Sequence, residues 1–294
     1  MTKTLSGTLA GLGAASLWGA MYVVSKVVME TVPPFVLVTS RLLLGAGTLA
    51  LFVNWRGRPV VARTQFLQIL LVGFIGYGIS LGFQFYGTML STASNGAMVT
   101  AATPAFVLPI AALILRERIT LQKLIALTLS TVGVLVVINP LSSTIDQGYL
   151  AGNLCLVTAA ITWALYSVLV RKITANCDVL TFSMYAFLGG LPVSVSLGVW
   201  ELTERPIATL TLGILGGILF LGIICTALAM FLWNTAFKHL DAGTAGLTFF
   251  AQPLVGAFLS ILLLSETISI WYLFGGILIA LGIILSSMEY GIKS

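Results

Sequence analysis

Two pairs of aromatic residues carry the clearest chemical signal in this sequence: Trp18 with Tyr22, and Trp163 with Tyr166. Each tyrosine follows its tryptophan by four or three residues, which places both rings on about one face of a helix. Buried indole N–H and phenol O–H groups require hydrogen-bond partners. Two such pairs meeting would make an amphipathic cavity wall; the alternative role is packing. A second set, Tyr77, Gln84, Asn95, Thr100 and Thr103, punctuates one pair of apolar runs, and Asn234, Thr248 and Gln252 punctuate another. Facing lipid these groups would be unsatisfied, so they are expected to face inward. Singly, such side chains bond neighbouring helices, worth roughly 0.6–2 kcal/mol each. As a set they also supply the donors and acceptors that a solute path needs. The candidate substrate-binding residues are therefore Trp18, Tyr22, Tyr77, Gln84, Asn95, Trp163, Tyr166, Asn234 and Gln252.

Charges and prolines form a third group. Arg41 is the one formal charge well inside an apolar run. A charge at a helix centre costs about 2.5–3.5 kcal/mol on insertion scales, which makes it a functional candidate. It follows Pro34 closely enough to snorkel to the outer interface; bonding free carbonyls or anchoring a substrate carboxylate are its other possible roles. Pro104 precedes Glu117 by thirteen residues, and Pro253 precedes Glu266 by the same number. Each proline lacks an N–H and frees the carbonyl four residues earlier, at Thr100 and Phe249, so a helix kink is expected at both. Thirteen residues span roughly 20 Å of helix, which puts the glutamates at the membrane surface if the prolines are deep. Thr120 and Ser269 are good N-caps for the next helix. A carboxylate just before them accepts from that helix's first N–H groups and favours its positive end. The alternative for Glu117 and Glu266 is gating or proton coupling.

Catalysis is not supported. Cys155, Cys177 and Cys225 are isolated and His239 is the single histidine. No general base, nucleophile and metal cluster come within reach of one another. No enzymatic activity, metal or cofactor is expected.

Membrane helices must position these residues. The chain of 294 residues is 59% hydrophobic and 8% charged, against roughly 25% charged in soluble domains. Apolar runs close to the ~20 residues that cross a bilayer occupy 5–28, 35–53, 66–88, 94–115, 121–139, 152–171, 179–199, 211–236, 243–264 and 270–288. The alternation of a β-barrel is absent. The expected fold is an all-α integral membrane protein with ten transmembrane helices. With Lys3 inside, eleven of the fourteen basic residues fall in cytoplasmic loops or termini, including Arg56, Arg63, Arg116, Arg118 and Arg171. Glu30, Asp146, Glu201, Glu204 and Glu266 fall on the other side. By the positive-inside rule both termini are cytoplasmic. The net charge of +5 then reads as topology and not as a nucleic-acid surface. The loops are too short for an extramembrane domain. The expected partners are a small-molecule solute and the lipid bilayer, with the protein a monomer or weak homo-oligomer. The first run has a counterpart later in the chain and is expected to be retained, not cleaved as a signal peptide.

That counterpart is part of a repeat. AASLWGAMYVVSK (14–26) lies on AAITWALYSVLVR (159–171) at an offset of 145; Pro104, Glu117, Thr120 and Gly133 lie on Pro253, Glu266, Ser269 and Gly282 at 149. The two halves are 1–140 and 150–294, joined by 141–149, each with five spans. An odd number of spans inverts the second half, the inverted repeat that in secondary transporters flanks a midplane site. Three features carry a resemblance: the Trp-bearing first helix (LWGAMYVVSK), the arginine early in the second (PFVLVTSRLLL), and the proline-to-glutamate helix in both halves. With them the chain resembles the drug/metabolite transporter superfamily, in its EamA branch. The resemblance covers nearly the whole chain and implies solute export or exchange across the inner membrane.

The leading expectation is a secondary transporter of a small metabolite, an amino acid or similar amphipathic solute, working by alternating access. A cavity without a deep carboxylate favours neutral or zwitterionic solutes over lipophilic cations. The alternatives are a lipid flippase, a channel or a multidrug efflux carrier of the same architecture, and last an integral-membrane enzyme. GxxxG spacings at 78–82 and 213–217 are expected to bring helices close together.

Overall fold

The computed structural model describes residues 3–57, 61–90, 99–138, 150–264 and 270–292, and among them every regular element is a helix. The chain runs through α1 (Lys3–Met29) and α2 (Pro34–Trp55) into a composite rod: α3 (Arg63–Gly73), a π-helical stretch (Phe74–Ser80) and α4 (Leu81–Leu90). Next come α5 (Thr103–Leu115), α6 (Leu121–Ile138), α7 (Leu150–Thr174) and α8 (Val179–Glu204). A second composite rod joins α9 (Leu212–Leu219), a π-helical stretch (Phe220–Leu228) and α10 (Ala229–His239). The last part is α11 (Ala242–Leu247), a 3₁₀ turn (Thr248–Phe250), α12 (Ala251–Leu264) and α13 (Ile270–Ile292).

Several helices outrun their apolar segments: α7 continues through Lys172 to Thr174 and α8 through Trp200 to Glu204. Apolarity ends with the hydrocarbon, but intrahelical bonding continues into the interface. Local chemistry sets many boundaries. Pro34 opens α2 in its first turn, where a missing N–H costs nothing. Asp178 caps α8 and Asp241 caps α11, each accepting an N–H three residues on. At the end of α5, Arg116 turns the chain with φ of 57°, a left-handed conformation that costs an L-residue roughly 1–2 kcal/mol.

Pro34–Trp55, Arg63–Leu90, Ala151–Thr174, Val179–Glu204 and Leu212–His239 are long and apolar enough to cross a membrane, and shorter apolar helices accompany them. The outer surface is apolar to match: Leu51, Leu113 and Leu212 are 72%, 83% and 88% exposed. The chain is a multi-pass membrane protein.

The main packing joins residues before 140 to residues after 150. α2 packs on α8, α6 on α13, α1 on α10 and α12, and α4 and α5 on α7. Some of these contacts are backbone to backbone. A Cβ at Gly73 would collide with the Ala186 carbonyl, and one at Gly189 with the Leu70 carbonyl, so α3 and α8 touch at paired glycines. The expected GxxxG contacts are only partly made. Gly78 and Gly82 would meet Val193 and Phe35 at 3.1 and 3.2 Å, and Gly217 would meet Val28 at 2.7 Å. At Gly213 the nearest atom is 3.8 Å away on its own neighbour Thr211, and at Gly216 nothing lies within 4 Å. Those two glycines lie on the outer face of α9.

Candidate functional site

A cleft opens where the two halves meet. α1 contributes Trp18 and Met21; the first composite rod Ser80, Leu81 and Gln84; α7 Ala159, Ala160 and Trp163. Met230 closes it from α10, Phe249 from the 3₁₀ turn, Gln252 from the start of α12, Thr103 from the start of α5 and Thr100 from the residues just before it. Paired alanines one turn before each tryptophan explain the repeated AAxxW: small side chains recess the wall so that an indole can face across it. The free space within the cleft is only water-sized. That is room for one or two waters, so an amino-acid-sized solute requires the walls to part.

The aromatic wall is a contiguous cluster. Trp18 meets Trp163 edge-on at 5.7 Å, Trp233 at 5.3 Å and Phe249 at 5.8 Å between ring centroids, and Trp163 stacks on Tyr166 at 4.8 Å. The two indole N–H groups differ. Trp18 donates Nε1–H to the Cys225 carbonyl at 3.0 Å, a carbonyl within the second π stretch, where the wider turn displaces backbone groups from their α-helical partners. Trp163 Nε1 is buried and has no partner among the described residues. Trp163, a lining residue of the cleft, thus carries a buried donor with no bond among the described residues.

The polar wall is a network. Gln84 donates to the Tyr22 hydroxyl at 2.9 Å, and that hydroxyl pairs with Thr100 Oγ1 at 2.9 Å. Tyr22 thus ties the lining residues Gln84 and Thr100 together. Tyr77, Tyr166 and Asn234 occupy a different place from the expected one. Tyr77 and Tyr166 share a hydroxyl–hydroxyl bond, Tyr166 donates to Asn234 Oδ1 at 2.8 Å, and Asn234 donates to Ser183 at 2.9 Å. All four are fully buried and tie the first rod, α7, α10 and α8 together beside the cleft rather than on its wall. Asn95 and Glu266 lie outside the described residues.

The prolines mark helix restarts instead of mid-helix kinks. Pro104 sits in the first turn of α5, after a turn at 101–102, and Pro253 follows the 3₁₀ turn at the start of α12. In a first turn the absent N–H breaks no bond. The Thr100 carbonyl accepts from the Thr103 hydroxyl at 2.7 Å, so it already has a bond. The prolines that do lie inside helices are Pro109 and Pro192.

Arg41 does not snorkel. It is 1% exposed, enclosed by α1, the first rod and the second π stretch. The outward route is closed because α2 buries this face against those helices.

Glu117 caps a helix, but not the one that follows it. Its carboxylate accepts from the N–H groups of Ala242 and Gly243 at 3.0 and 3.4 Å and pairs with Arg171 Nε at 3.0 Å. The left-handed turn at Arg116 carries it across to α11. Arg171 also donates to the carbonyls of Phe237 and Leu240. Beside it, Lys123 pairs with Asp241 at 2.6 Å. At the end of α8, Glu201 accepts from the N–H groups of Phe35 and Val36 at 2.7 and 3.4 Å, and Arg205 donates to the carbonyls of Met29 and Glu30. Carboxylates on one half thus cap helix N-termini of the other. The sequence offered no signal for these pairings, nor for Met230 in the cleft.

The Lys123–Asp241 pair makes stability pH-dependent. Burial raises the Asp241 carboxyl, but the Lys123 ammonium and the Thr244 amide and hydroxyl outweigh it, leaving the pKa below its ordinary value. Folding therefore favours the ionised form. That stabilisation is complete above the usual carboxylate pKa of about 3.9 and is lost as pH falls through the lower folded value. Asp241→Asn is expected to melt below wild type at neutral pH, with the gap narrowing below about pH 4. Thermal melts in detergent across pH check this; a gap that stays constant into acid contradicts it.

No group of three or more metal-ligating side chains occurs among the described residues. The sequence model described as "EamA-like transporter family" matches residues 5–139 and 150–288. An uncharacterized transporter of Bacillus subtilis (strain 168), YoaV, is 23% identical over 292 residues, covering 99% of this chain and 98% of that protein. A "probable amino-acid metabolite efflux pump" of Salmonella typhimurium (strain LT2) is 24% identical over 292 residues, covering 94% of this chain and 93% of that protein. A solved crystal structure superposes with a TM-score of 0.82 at 19% identity, covering 98% of this chain and 99% of the other, and shares the fold.

Proposed function

Because the chain belongs to the EamA-like transporter family, within the drug/metabolite transporter superfamily, we propose that it exports a small amphipathic metabolite, such as an amino acid, across the inner membrane by alternating access. It is a transporter and not an enzyme. The observation that carries the solute class is the lining of the cleft: clustered indoles together with amides and hydroxyls, and a Trp163 whose buried N–H has no bond among the described residues. An aromatic wall takes the apolar part of a solute and the amide wall takes its polar part.

Two five-helix halves in ten spans, 1–140 and 150–294 inverted about 141–149, account for the motion. Support comes from the π stretches: Phe74–Ser80 in one rod has its counterpart at Phe220–Leu228 in the other, near the repeat offset read from the sequence. The small volume of the cleft fits a near-occluded state. The capping pairs made by Glu117 and Glu201 are contacts that rocking would break and remake. Both termini are assigned to the cytoplasm by the basic loops.

Counterflow in proteoliposomes tests the function. Vesicles preloaded with unlabelled phenylalanine or leucine are expected to accumulate the labelled solute transiently, while sugars and cationic dyes show none. Absence of counterflow with every amino acid removes the amino-acid reading, and exchange of dyes instead points to multidrug efflux. In the same vesicles, cysteines placed at 56 and 204 are expected to label from opposite sides.

A further inference from the structure

The transporter reading leaves Arg41 without a role, and its surroundings specify one. The guanidinium is buried in the membrane interior, where an unpaired charge is costly. Nε donates to Thr226 Oγ1 at 3.0 Å; that hydroxyl gives its own proton to the Leu221 carbonyl at 2.8 Å, so its lone pair is turned to the arginine. Nη2 reaches only the Met21 sulfur, at 3.2 Å, and Nη1 has no partner among the described residues. The Phe85 ring lies 5.2 Å from Cζ. The titratable groups acting on it are Tyr22 and Cys225, both neutral at physiological pH. The ion pairs among the described residues, Lys123–Asp241 and Arg171–Glu117, involve other basic groups.

A neutral hydroxyl, a thioether and an aromatic face do not neutralise a guanidinium. The unfilled edge is the one formed by Nη1 and Nη2, the fork that binds a carboxylate through two parallel bonds. Its weak occupant, Met21, is also a wall residue of the cleft, and methionine is an unbranched, adaptable side chain. Tyr22, which accepts from the lining amide Gln84, is the other neighbour on α1.

We infer that Arg41 is the anion-binding residue of the transport cleft: when the Met21 side chain swings aside, the Nη1–Nη2 edge takes an anionic group, the carboxylate of the solute or a small inorganic anion. The solute form of this assignment rests on the transport reading; the anion site itself does not. No proton or covalent step is involved.

The test measures binding to purified full-length protein in nanodiscs of zwitterionic lipid. Wild type, Arg41→Lys and Arg41→Gln are titrated with L-phenylalanine, L-phenylalaninamide and sodium chloride, read by calorimetry and by thermal shift. Losing a bidentate charged contact should weaken phenylalanine binding in Arg41→Gln roughly 10- to 100-fold. Arg41→Lys, a point charge without the fork, should fall between, and phenylalaninamide should bind all three alike. If the ion is inorganic, chloride stabilises wild type but not Arg41→Gln, and phenylalanine and its amide behave alike; this also supports the site. Should Arg41→Gln fail to fold, the Arg41→Lys titration carries the test. Variants that respond to phenylalanine and chloride as wild type does, or a wild type that responds to neither, overturn the assignment. Anion binding without counterflow would fail the transport reading alone, and counterflow in variants whose responses to phenylalanine and chloride match wild type would fail this one alone.

Discussion

Trp163→Phe is expected to weaken solute binding while leaving the protein as stable as before or more so, and Trp18→Phe is expected to do the reverse. The two residues are both tryptophans, are both buried and meet edge-on at 5.7 Å, so ring size and burial do not separate them. Their N–H groups do. Trp18 gives its proton to the Cys225 carbonyl at 3.0 Å. Phenylalanine there leaves that buried carbonyl short of a bond, at a cost of about 1–3 kcal/mol. Trp163 Nε1 has no partner among the described residues, so phenylalanine removes an unsatisfied donor and its desolvation cost with it. If the solute accepts from this donor, losing it weakens binding by one hydrogen bond, about 2- to 10-fold. Trp163→Ala goes further, because it deletes a ring stacked on Tyr166 and leaves a void worth roughly 3–5 kcal/mol. Thermal melts and counterflow half-saturation constants for the four proteins check this. Equal effects of the two phenylalanine variants would show that the free N–H has no part in binding.

Substituting either glycine of the α3–α8 contact is expected to be the most damaging small change in the protein. A methyl at Gly189 would overlap the Leu70 carbonyl and lie 2.9 Å from the Phe74 nitrogen; one at Gly73 would overlap the Ala186 carbonyl and lie 2.7 Å from Ala186 Cα. These neighbours are backbone atoms, and no rotamer change relieves them. The helices must move apart, which also unseats Tyr77 from Gly190, where a Cβ would already be 2.6 Å from the tyrosine Cβ. Overpacking of this kind costs typically 1–3 kcal/mol and occasionally more. Gly189→Ala and Gly73→Ala are therefore expected to melt several degrees low or to fail to yield monodisperse protein. Gly216→Ala is the control: nothing lies within 4 Å of its Cβ, and alanine favours a helix by up to about 1 kcal/mol. A Gly189→Ala variant as stable as wild type would refute the close approach.

Much of this protein is one-dimensional information. Apolar run lengths announced the helices, since the bilayer imposes a fixed span and lipid forbids unpaired backbone. Motifs and their order pointed to the family that the chain belongs to. Trp18, Trp163, Gln84 and Gln252 were found from residue type and do line the cleft. Tyr77, Tyr166 and Asn234 are of the same residue types, yet their hydrogen bonds go to one another and to Ser183. A membrane helix is apolar nearly all round, so its pattern says that a polar side chain turns inward but not which neighbour it meets.

The sequence by itself therefore determined the membrane class, the helical character of the chain, its family and the residue types available for recognition, because hydropathy and spacing are local properties. Only the tertiary structure decided the partners. Glu117 caps α11 across the half-boundary instead of the helix after it, since a left-handed turn at Arg116 redirects the chain. Arg41 is sealed among α1, the first rod and the second π stretch instead of reaching the interface. Trp18 and Trp163, alike in sequence, differ in whether a carbonyl comes within reach. A hydrogen bond is decided within a few tenths of an ångström, by which helices the packing brings together.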